Sequence, residues 1–208
     1  MSGRTYGGET AADRAARRRR QLLDAGLEVF GTVGYSAATV RQLCREARVA
    51  DRYFYEEFAS TEDLLLAVYH ACLDRLRDAV VDAVGAAEGE IADLARAGLL
   101  AFLTVVRDDP RLARVVWFEV LGVSRRVEQA YLQRMGDFGD LVATLLAERL
   151  PAVAGGEPET VVVRLAAVGG VSHVVMAWVD AGFTPSIEQV AAGLQLLLRS
   201  IAAGLAEA

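Results

Sequence analysis

Residues 22–58 of this chain, LLDAGLEVFGTVGYSAATVRQLCREARVADRYFYEEF, decide its fold. Their apolar residues recur at helical spacing in three runs, and a short turn around Arg48 separates the last two runs. Two helices joined by such a turn form a helix-turn-helix, the arrangement that lays its second helix in the major groove of DNA. The stretch therefore predicts a three-helix DNA-binding domain.

Local signals predict where these helices begin and end. The first helix is predicted over residues 14–33, and Gly34 ends it. Thr39, followed three residues later by Gln42, predicts a capping box at the start of the second helix. The third helix is predicted over residues 50–57.

The rest of the chain is also predicted to be helical, because no strand-like alternation follows residue 58. The further helices are predicted over residues 61–84, 91–107, 110–122, 124–150, 159–180 and 186–206. The prediction is an all-α fold of about nine helices, with a flexible tail at 1–13, the helix-turn-helix domain at 14–60, and a domain for ligand binding and dimerisation at 61–208.

Composition and charge restrict the function classes. Residues 1–60 carry ten arginines against eight acidic residues, whereas the whole chain has a net charge of −6. A basic end on an acidic body is typical of a DNA-binding domain attached to a regulatory one. The longest uncharged run, residues 165–179, is shorter than the roughly 20 residues of a membrane span. We therefore expect a buried helix there, no membrane and a cytoplasmic location.

Features of an enzyme are missing from the sequence. It holds two histidines and two cysteines, with no metal-ligand spacing, no nucleophile motif and no glycine-rich phosphate loop. Cys44 and Cys72 are expected to be small core residues. The sequence predicts no enzyme activity, no metal and no cofactor.

Several short motifs together resemble one known family. They are LLDAGLEVF at 22–30, the Gly34-Tyr35 pair, TVRQL at 39–43, YFYEEF at 53–58 and an S-x-E-D-L-L pattern from Ser60. Over about fifty consecutive residues this combination resembles the N-terminal domain of the tetracycline-repressor (TetR) family. The resemblance implies a homodimeric transcription factor, usually a repressor, that leaves a pseudo-palindromic DNA operator when a small molecule binds its C-terminal domain.

Candidate DNA contacts are the arginines, tyrosines and helix-capping hydroxyl of the N-terminal domain, residue types that reach phosphates and base edges. They are Arg17, Arg18, Thr39, Arg41, Arg48, Arg52, Tyr53 and Tyr55. Of Tyr53 and Tyr55, one is expected to belong partly to the core.

The sequence departs from the family pattern at the DNA-facing positions. Arg48 stands where the family usually has glycine, and Ala50 replaces the usual capping serine, so that Asp51 is expected to start the third helix. Glu56 and Thr61 stand where the family often has His and Lys. Acidic residues on the third helix would repel phosphates.

Candidate dimer residues form an apolar stripe on the last helix, together with a small residue on the helix before it. They are Gly169, Val190, Leu194, Leu197, Leu198 and Ile201, and the alternative is that they form only the core of a single chain.

Candidate ligand-binding residues are the large or amphipathic side chains of the middle helices. They are Phe102, Trp117, Tyr131, Met135, Phe138, His173, Met176 and Trp178. As a group they indicate an apolar or aromatic effector, although such side chains also fill cores. Glu119 and Asp180 are the acids that could receive a polar group of the effector, and His173 is equally well explained as a hydrogen-bonded core residue.

A second function stays open. The acidic residues of the third helix also allow a helical regulator with a degenerate helix-turn-helix that acts through protein partners. The two functions differ in salt dependence, because DNA binding weakens steeply as salt rises.

Overall fold

The computed structural model describes residues 10–148 and 151–207, and this part of the chain consists of nine α-helices. They are α1 (Ala11–Thr32), α2 (Val40–Ala47), α3 (Asp51–Glu57), α4 (Thr61–Ala86), α5 (Ile91–Asp108), α6 (Pro110–Arg114), α7 (Arg125–Leu146), α8 (Pro158–Asp180) and α9 (Ile187–Glu207). The predicted all-α fold is confirmed.

Helix α1 begins earlier than predicted. The Asp13 amide donates to Thr10 Oγ1 at 3.1 Å and the Thr10 amide donates to Asp13 Oδ2 at 2.9 Å, which is a reciprocal capping box. A tail reaching residue 13 was therefore wrong for residues 10–13, because these two side chains hold the backbone in the first helical turn. Residues 1–9 of that predicted tail lie outside the described residues.

The helix-turn-helix core is made by side chains from α1, α2 and α3. Leu22, Phe30, Leu43 and Phe54 are fully buried. Between α2 and α3 the backbone turns at Arg48, whose φ of 56° and ψ of 40° are left-handed. This conformation costs a non-glycine residue about 1–2 kcal/mol. Arg48 thus adopts the left-handed conformation at the position where the resembled family usually has glycine.

Helix α4 connects the helix-turn-helix to the C-terminal body. Its N-cap, Ser60, accepts a hydrogen bond from the Asp63 amide at 3.1 Å, and its buried residues run from Leu64 to Val80. Along this length α4 packs first against α1 and then against α5 and α7. One continuous helix therefore belongs to both parts of the molecule.

The predicted helix over residues 110–122 is interrupted. Helix α6 ends at Arg114, and Val115–Glu119 forms a π-helical turn. Such turns are rare and are frequently found at functional sites. Val115, Val116 and Trp117 of this turn are buried, so it is held by core packing.

Helix α8 is mostly exposed within a single chain, so the prediction of a buried helix was wrong. Its buried residues are Thr160, Ser172, Val175 and Trp178, and only 17% of its most apolar 18-residue stretch is buried. By length and composition alone this helix could cross a membrane. An apolar helix that covers the core with one narrow side has a second face that the single chain leaves uncovered.

Candidate functional site

The outward face of α3 carries Arg52, Tyr55 and Glu56, while Phe54 and Phe58 point into the core. Tyr55 is 63% exposed, and Arg41 of α2 and Arg48 of the turn are exposed as well. At the start of α2 the Thr39 side chain accepts from the Gln42 amide at 3.2 Å, which is the Thr39 half of the predicted capping box.

Tyr53 is half-buried between two guanidinium groups. The Arg18 and Arg52 guanidinium carbons lie 4.5 and 4.7 Å from the centre of its ring. Arg52 also donates to the Tyr53 hydroxyl at 2.8 Å. Of the two tyrosines, Tyr53 is therefore the partly buried one and Tyr55 is the exposed one.

Arg18 braces α1 against α3. Its Nη2 lies 3.5 Å from Glu56 Oε2 and 3.9 Å from Glu57 Oε1, and its side chain is only 19% exposed. The structure thus places Arg18 on two acids of the chain itself. Arg17, the neighbouring candidate, is exposed. The pairing offsets part of the negative charge that the sequence puts on α3.

Asp51, the first residue of α3, interacts with the buried Cys44 thiol of α2. Burial raises the pKa of Cys44 to about 11, and the negative charge of Asp51 and a hydrogen bond to it act in the same direction. Cys72 in α4 is also buried, and burial raises its pKa to about 12. Both cysteines are core residues, as predicted.

Glu119 fastens the π-helical turn to the helix-turn-helix. Its Oε2 accepts from the Tyr35 backbone amide at 2.6 Å, and its Oε1 accepts from Arg114 Nε at 2.8 Å. Arg114 Nη1 donates in turn to the carbonyl of Thr32, the last residue of α1, at 2.7 Å. Both oxygens of Glu119 thus serve a latch between the domains, and a contact of Glu119 or Asp180 with an effector stays a prediction.

Helices α1 and α6 make a second contact between the domains. A Cβ added to Gly31 would lie 2.8 Å from Arg111 Cα, so only glycine allows this approach. Beside it Arg111 pairs with Glu28 of α1 at 2.6 Å and with Asp109 at 2.8 Å. Arg111 and Arg75 hold the pKa of Asp109 below its usual value even though burial alone would raise it.

An apolar cavity of about 120 Å³ lies between α4, α5, α7 and α8 and includes the π-helical turn. Phe102, Trp117, Met135 and Phe138, half of the predicted ligand residues, line it. The ring centre of Phe102 lies 6.1 Å from that of Trp117 and 5.9 Å from that of Phe138. The indole N–H of Trp117 is buried and has no hydrogen-bond partner among the described residues.

The other four predicted ligand residues do not line this cavity. Trp178 is buried, and its indole N–H donates to the Pro185 carbonyl at 2.7 Å, which fixes the end of α8. Tyr131 and Met176 are half-buried and pack against the core. His173 is exposed on the outer face of α8, so its interpretation as a core histidine was wrong. Helical spacing could not decide which side of each helix faces the cavity.

The predicted dimer residues divide between two faces. Val190 and Leu194 are buried in the chain's own core, where α9 packs on α5, so they are not available to a partner. Leu198 and Ile201 are half-buried and line cavities. Gly169 and Leu197 lie on the exposed face. Large apolar residues on that face that the sequence reasoning missed are Val162, Leu165, Val174 and Leu196.

The fold and the turn at Arg48 define a helix-turn-helix protein. Residues 22–68 match the family model of the bacterial regulatory proteins of the tetR family. The N-terminal part of the chain is therefore a TetR-family helix-turn-helix domain. Because this is a family of regulators and not of enzymes, the predicted absence of enzyme activity agrees with the assignment.

Curated relatives are similar to the N-terminal part of the chain. The HTH-type transcriptional regulator BetI of Rhizobium meliloti (strain 1021) is 40% identical over 70 residues, which are 34% of each protein. BetI of Escherichia coli O45:K1 (strain S88 / ExPEC) is 38% identical over 77 residues, which are 37% of this chain and 40% of the relative. The match thus spans between a third and two fifths of these relatives.

Solved structures are similar over most of the chain. The fatty acid degradation regulator FadR from Bacillus halodurans has a TM-score of 0.75 and 21% identity, covering 87% of this chain and 94% of that one. FadR from Bacillus subtilis, in complex with stearoyl-CoA, has a TM-score of 0.73 and 18% identity, covering 86% and 96%. At these identities the likeness shows the fold.

Proposed function

We propose that this chain is a cytoplasmic transcriptional regulator that binds a pseudo-palindromic DNA operator as a homodimer and is released by a largely apolar effector. The observation that carries the proposal is the TetR-family helix-turn-helix, which exposes Arg41, Arg48, Arg52 and Tyr55. These residue types donate to phosphates and base edges.

The two glutamates of α3 are compatible with DNA binding because an arginine of the chain lies beside them. Arg18 Nη2 lies 3.5 Å from Glu56 Oε2 and 3.9 Å from Glu57 Oε1. An intramolecular cation beside each glutamate reduces the repulsion that a phosphate would experience. We assign to Arg18 this compensating role in place of a direct DNA contact.

Dimerisation would cover the exposed face of α8 and α9. Leu165 and Leu196 are 50% and 67% exposed there, and Gly169 and Gly193 have open space where a Cβ would stand. Small residues between exposed leucines allow two helices to approach closely, and a two-fold pair of such faces gives a four-helix interface. A two-fold dimer would present two helix-turn-helix domains to the two halves of an operator.

The dimer is tested by sedimentation of Leu165→Asp at micromolar concentration. Val33→Asp is the matched control, because Val33 is 48% exposed at the end of α1, a helix that packs against α2, α3, α4 and α6. We expect Leu165→Asp to sediment as a monomer and the control to sediment as the dimer. Two identical profiles would contradict this interface.

The cavity supports an apolar effector, and the latch at Glu119 provides a route from it to the DNA-binding domain. Trp117, which lines the cavity, and Glu119, which holds Tyr35, belong to the same five-residue π-helical turn. An effector that displaces Trp117 would therefore shift the anchor of the helix-turn-helix. The neighbour bound to stearoyl-CoA supports an acyl group as one chemistry that suits such a cavity.

DNA binding is tested by selecting duplexes from a random library with the purified chain and measuring their affinity by gel shift. We expect Arg48→Ala and Arg52→Ala each to weaken binding, by about 1–3 kcal/mol where a bidentate base contact is lost. Arg77→Ala is the control, because Arg77 pairs with Asp74 and Asp78 on α4.

Salt dependence separates this function from the alternative of a protein-binding regulator. The affinity for DNA should fall steeply between 50 and 200 mM salt, because arginines that neutralise phosphates release counterions. Unchanged affinity in both arginine variants, or the absence of a salt effect, would contradict the proposal.

The latch is tested by hydrogen exchange at the Tyr35 amide in Glu119→Gln. Loss of the carboxylate weakens the hydrogen bonds to Tyr35 and Arg114, so exchange should become faster there, and DNA affinity should change. Glu128→Gln in the first turn of α7 is the control. Equal exchange in both variants would refute the latch.

A further inference from the structure

A second apolar cavity of about 100 Å³ adjoins the one described above. The residues that line both cavities are Ala95, Val142, Leu146, Ala167, Val168 and Leu198. These shared side chains place the two cavities next to each other, and together the cavities extend from Trp117 to Leu205 in the C-terminal part of α9; we call the pair the channel.

The length of the channel matters for the choice of ligand. An engineered cavity of about 150 Å³ holds one benzene molecule, so the first cavity alone accepts a ligand of about that size. A larger ligand has to extend past Ala95 and Ala167 into the second cavity. A long and narrow molecule meets this requirement, whereas a broad ring system does not.

The polarity of the wall changes along the channel. The first cavity is lined by apolar residues and Ser172, whose hydroxyl is directed at the Met135 sulfur at 3.7 Å. The second cavity adds Arg164 and Arg199. The body of the ligand therefore needs to be free of hydrogen-bonding groups, while its outer end meets positive charge.

The two arginines differ in the number of contacts that they make within the chain. Arg164 is 14% exposed and donates to the carbonyls of Val153 and Gly155, at 3.1 and 2.6 Å, and it pairs with Asp140 at 3.2 Å. Arg199 is exposed and makes no ion pair or hydrogen bond within the described part of the chain. Arg199 is thus the cation that is free to receive an anionic group.

We propose that the channel binds a linear alkyl chain whose anionic head group lies at Arg199 and whose tail reaches Trp117. This rests on the proposed function, because it specifies the effector of the same cavity. The head group could be the carboxylate of a free fatty acid or the phosphates of an acyl thioester carrier, and both offer negative charge at the end of an alkyl chain.

The first test measures binding of octanoate, decanoate and palmitate to the purified full chain, below their micelle concentrations. Affinity should rise with chain length by up to about fourfold per buried methylene. In Ala95→Phe, which fills the junction between the cavities, palmitate should bind no more tightly than octanoate. Ala167→Leu at the same junction is the smaller substitution if Ala95→Phe does not fold.

The second test concerns the head group. Arg199→Ala should weaken the binding of palmitate about tenfold, which is the effect of losing one charge-assisted hydrogen bond. The affinity for hexadecanol, which has no anionic head group, should stay unchanged. Arg107→Ala, which removes an exposed arginine paired with its neighbour Asp108, is the control. Measuring palmitoyl-CoA beside palmitate identifies which head group the chain recognises. The effector form is the ligand that binds more tightly and also releases the chain from DNA.

Two results would overturn the proposal. The first is equal affinity of the chain for octanoate and palmitate, and the second is an equal loss of affinity for palmitate and for hexadecanol in Arg199→Ala. DNA binding by the ligand-free chain is measured separately. If the chain binds its selected duplex but no alkyl ligand, this inference fails and the proposed regulator remains. If it does not bind DNA, the proposed function fails.

Discussion

Gly31→Ala tests whether the DNA-binding domain is packed on the body as described. The added Cβ would meet Arg111 Cα at 2.8 Å and the Arg111 carbonyl oxygen at 2.9 Å. Favourable carbon contacts lie at about 3.5–4.0 Å, so α1 and α6 would have to separate by about 1 Å. The neighbour is backbone and cannot rotate away, unlike the Val68 side chain that a Cβ at Gly26 would meet.

The expected cost follows from two opposing contributions. Overpacking of this kind destabilises by about 1–3 kcal/mol. Replacing a glycine inside a helix by alanine stabilises by about 0.5–1 kcal/mol. The net loss for Gly31→Ala is therefore up to about 2.5 kcal/mol in the free energy of unfolding.

Gly136→Ala in α7 is the matched control. No heavy atom lies within 4 Å of a Cβ added there, so this variant should gain the helix contribution alone, about 0.5–1 kcal/mol. The helix contribution is common to both variants, so they should differ by the overpacking alone. With a urea m-value of about 2–3 kcal/mol/M, their midpoints should differ by about 0.3–1.5 M. A Gly31→Ala variant as stable as Gly136→Ala would refute the close contact of α1 with α6.

Three further outcomes are expected from the titrating and capping groups. Because the folded pKa of Asp109 is depressed, its stabilisation is present above the unfolded pKa and is lost as the pH falls through the folded value. Asp109→Asn should accordingly flatten the loss of stability between pH 5 and pH 3 in chemical unfolding. Cys44 and Cys72 should react slowly with a disulfide reagent at pH 8 in the native protein and quickly in urea, and a fast native thiol would contradict their burial. Thr39→Ala should lower the unfolding free energy by about 1 kcal/mol through loss of the α2 cap, and an unchanged value would contradict that cap.

The apolar periodicity of residues 22–58, the cap at Thr39 and the need for a turn at Arg48 determined the helix-turn-helix. These signals are local, because a helix cap or a left-handed turn involves residues three or four apart. For the same reason the starts of α2 and α3 agreed with the sequence to within a residue. The early start of α1 was readable as well, since Thr10 and Asp13 have the capping spacing.

The tertiary structure decided which face of each helix meets which neighbour. Spacing places Val190, Leu194 and Leu197 on one broad stripe of α9, yet the first two are core residues and the third is exposed. The apolar stripe of α9 is wider than one neighbouring helix can cover. Helix α5 packs on one part of it and leaves the other part exposed, and helical periodicity does not indicate which part that is.

Long-range polar contacts were also decided only by the tertiary structure. Glu119 meets the Tyr35 amide across 84 residues of sequence, and Arg18 meets Glu56 and Glu57 on a separate helix. The partners of such residues are distant in sequence and are therefore not visible in a local pattern. A charged residue without a visible partner is then expected to contact a ligand or DNA. The sequence by itself thus determined the helix-turn-helix class, whereas the packing of distant helices determined the cavity, the latch and the uncovered face of α8 and α9.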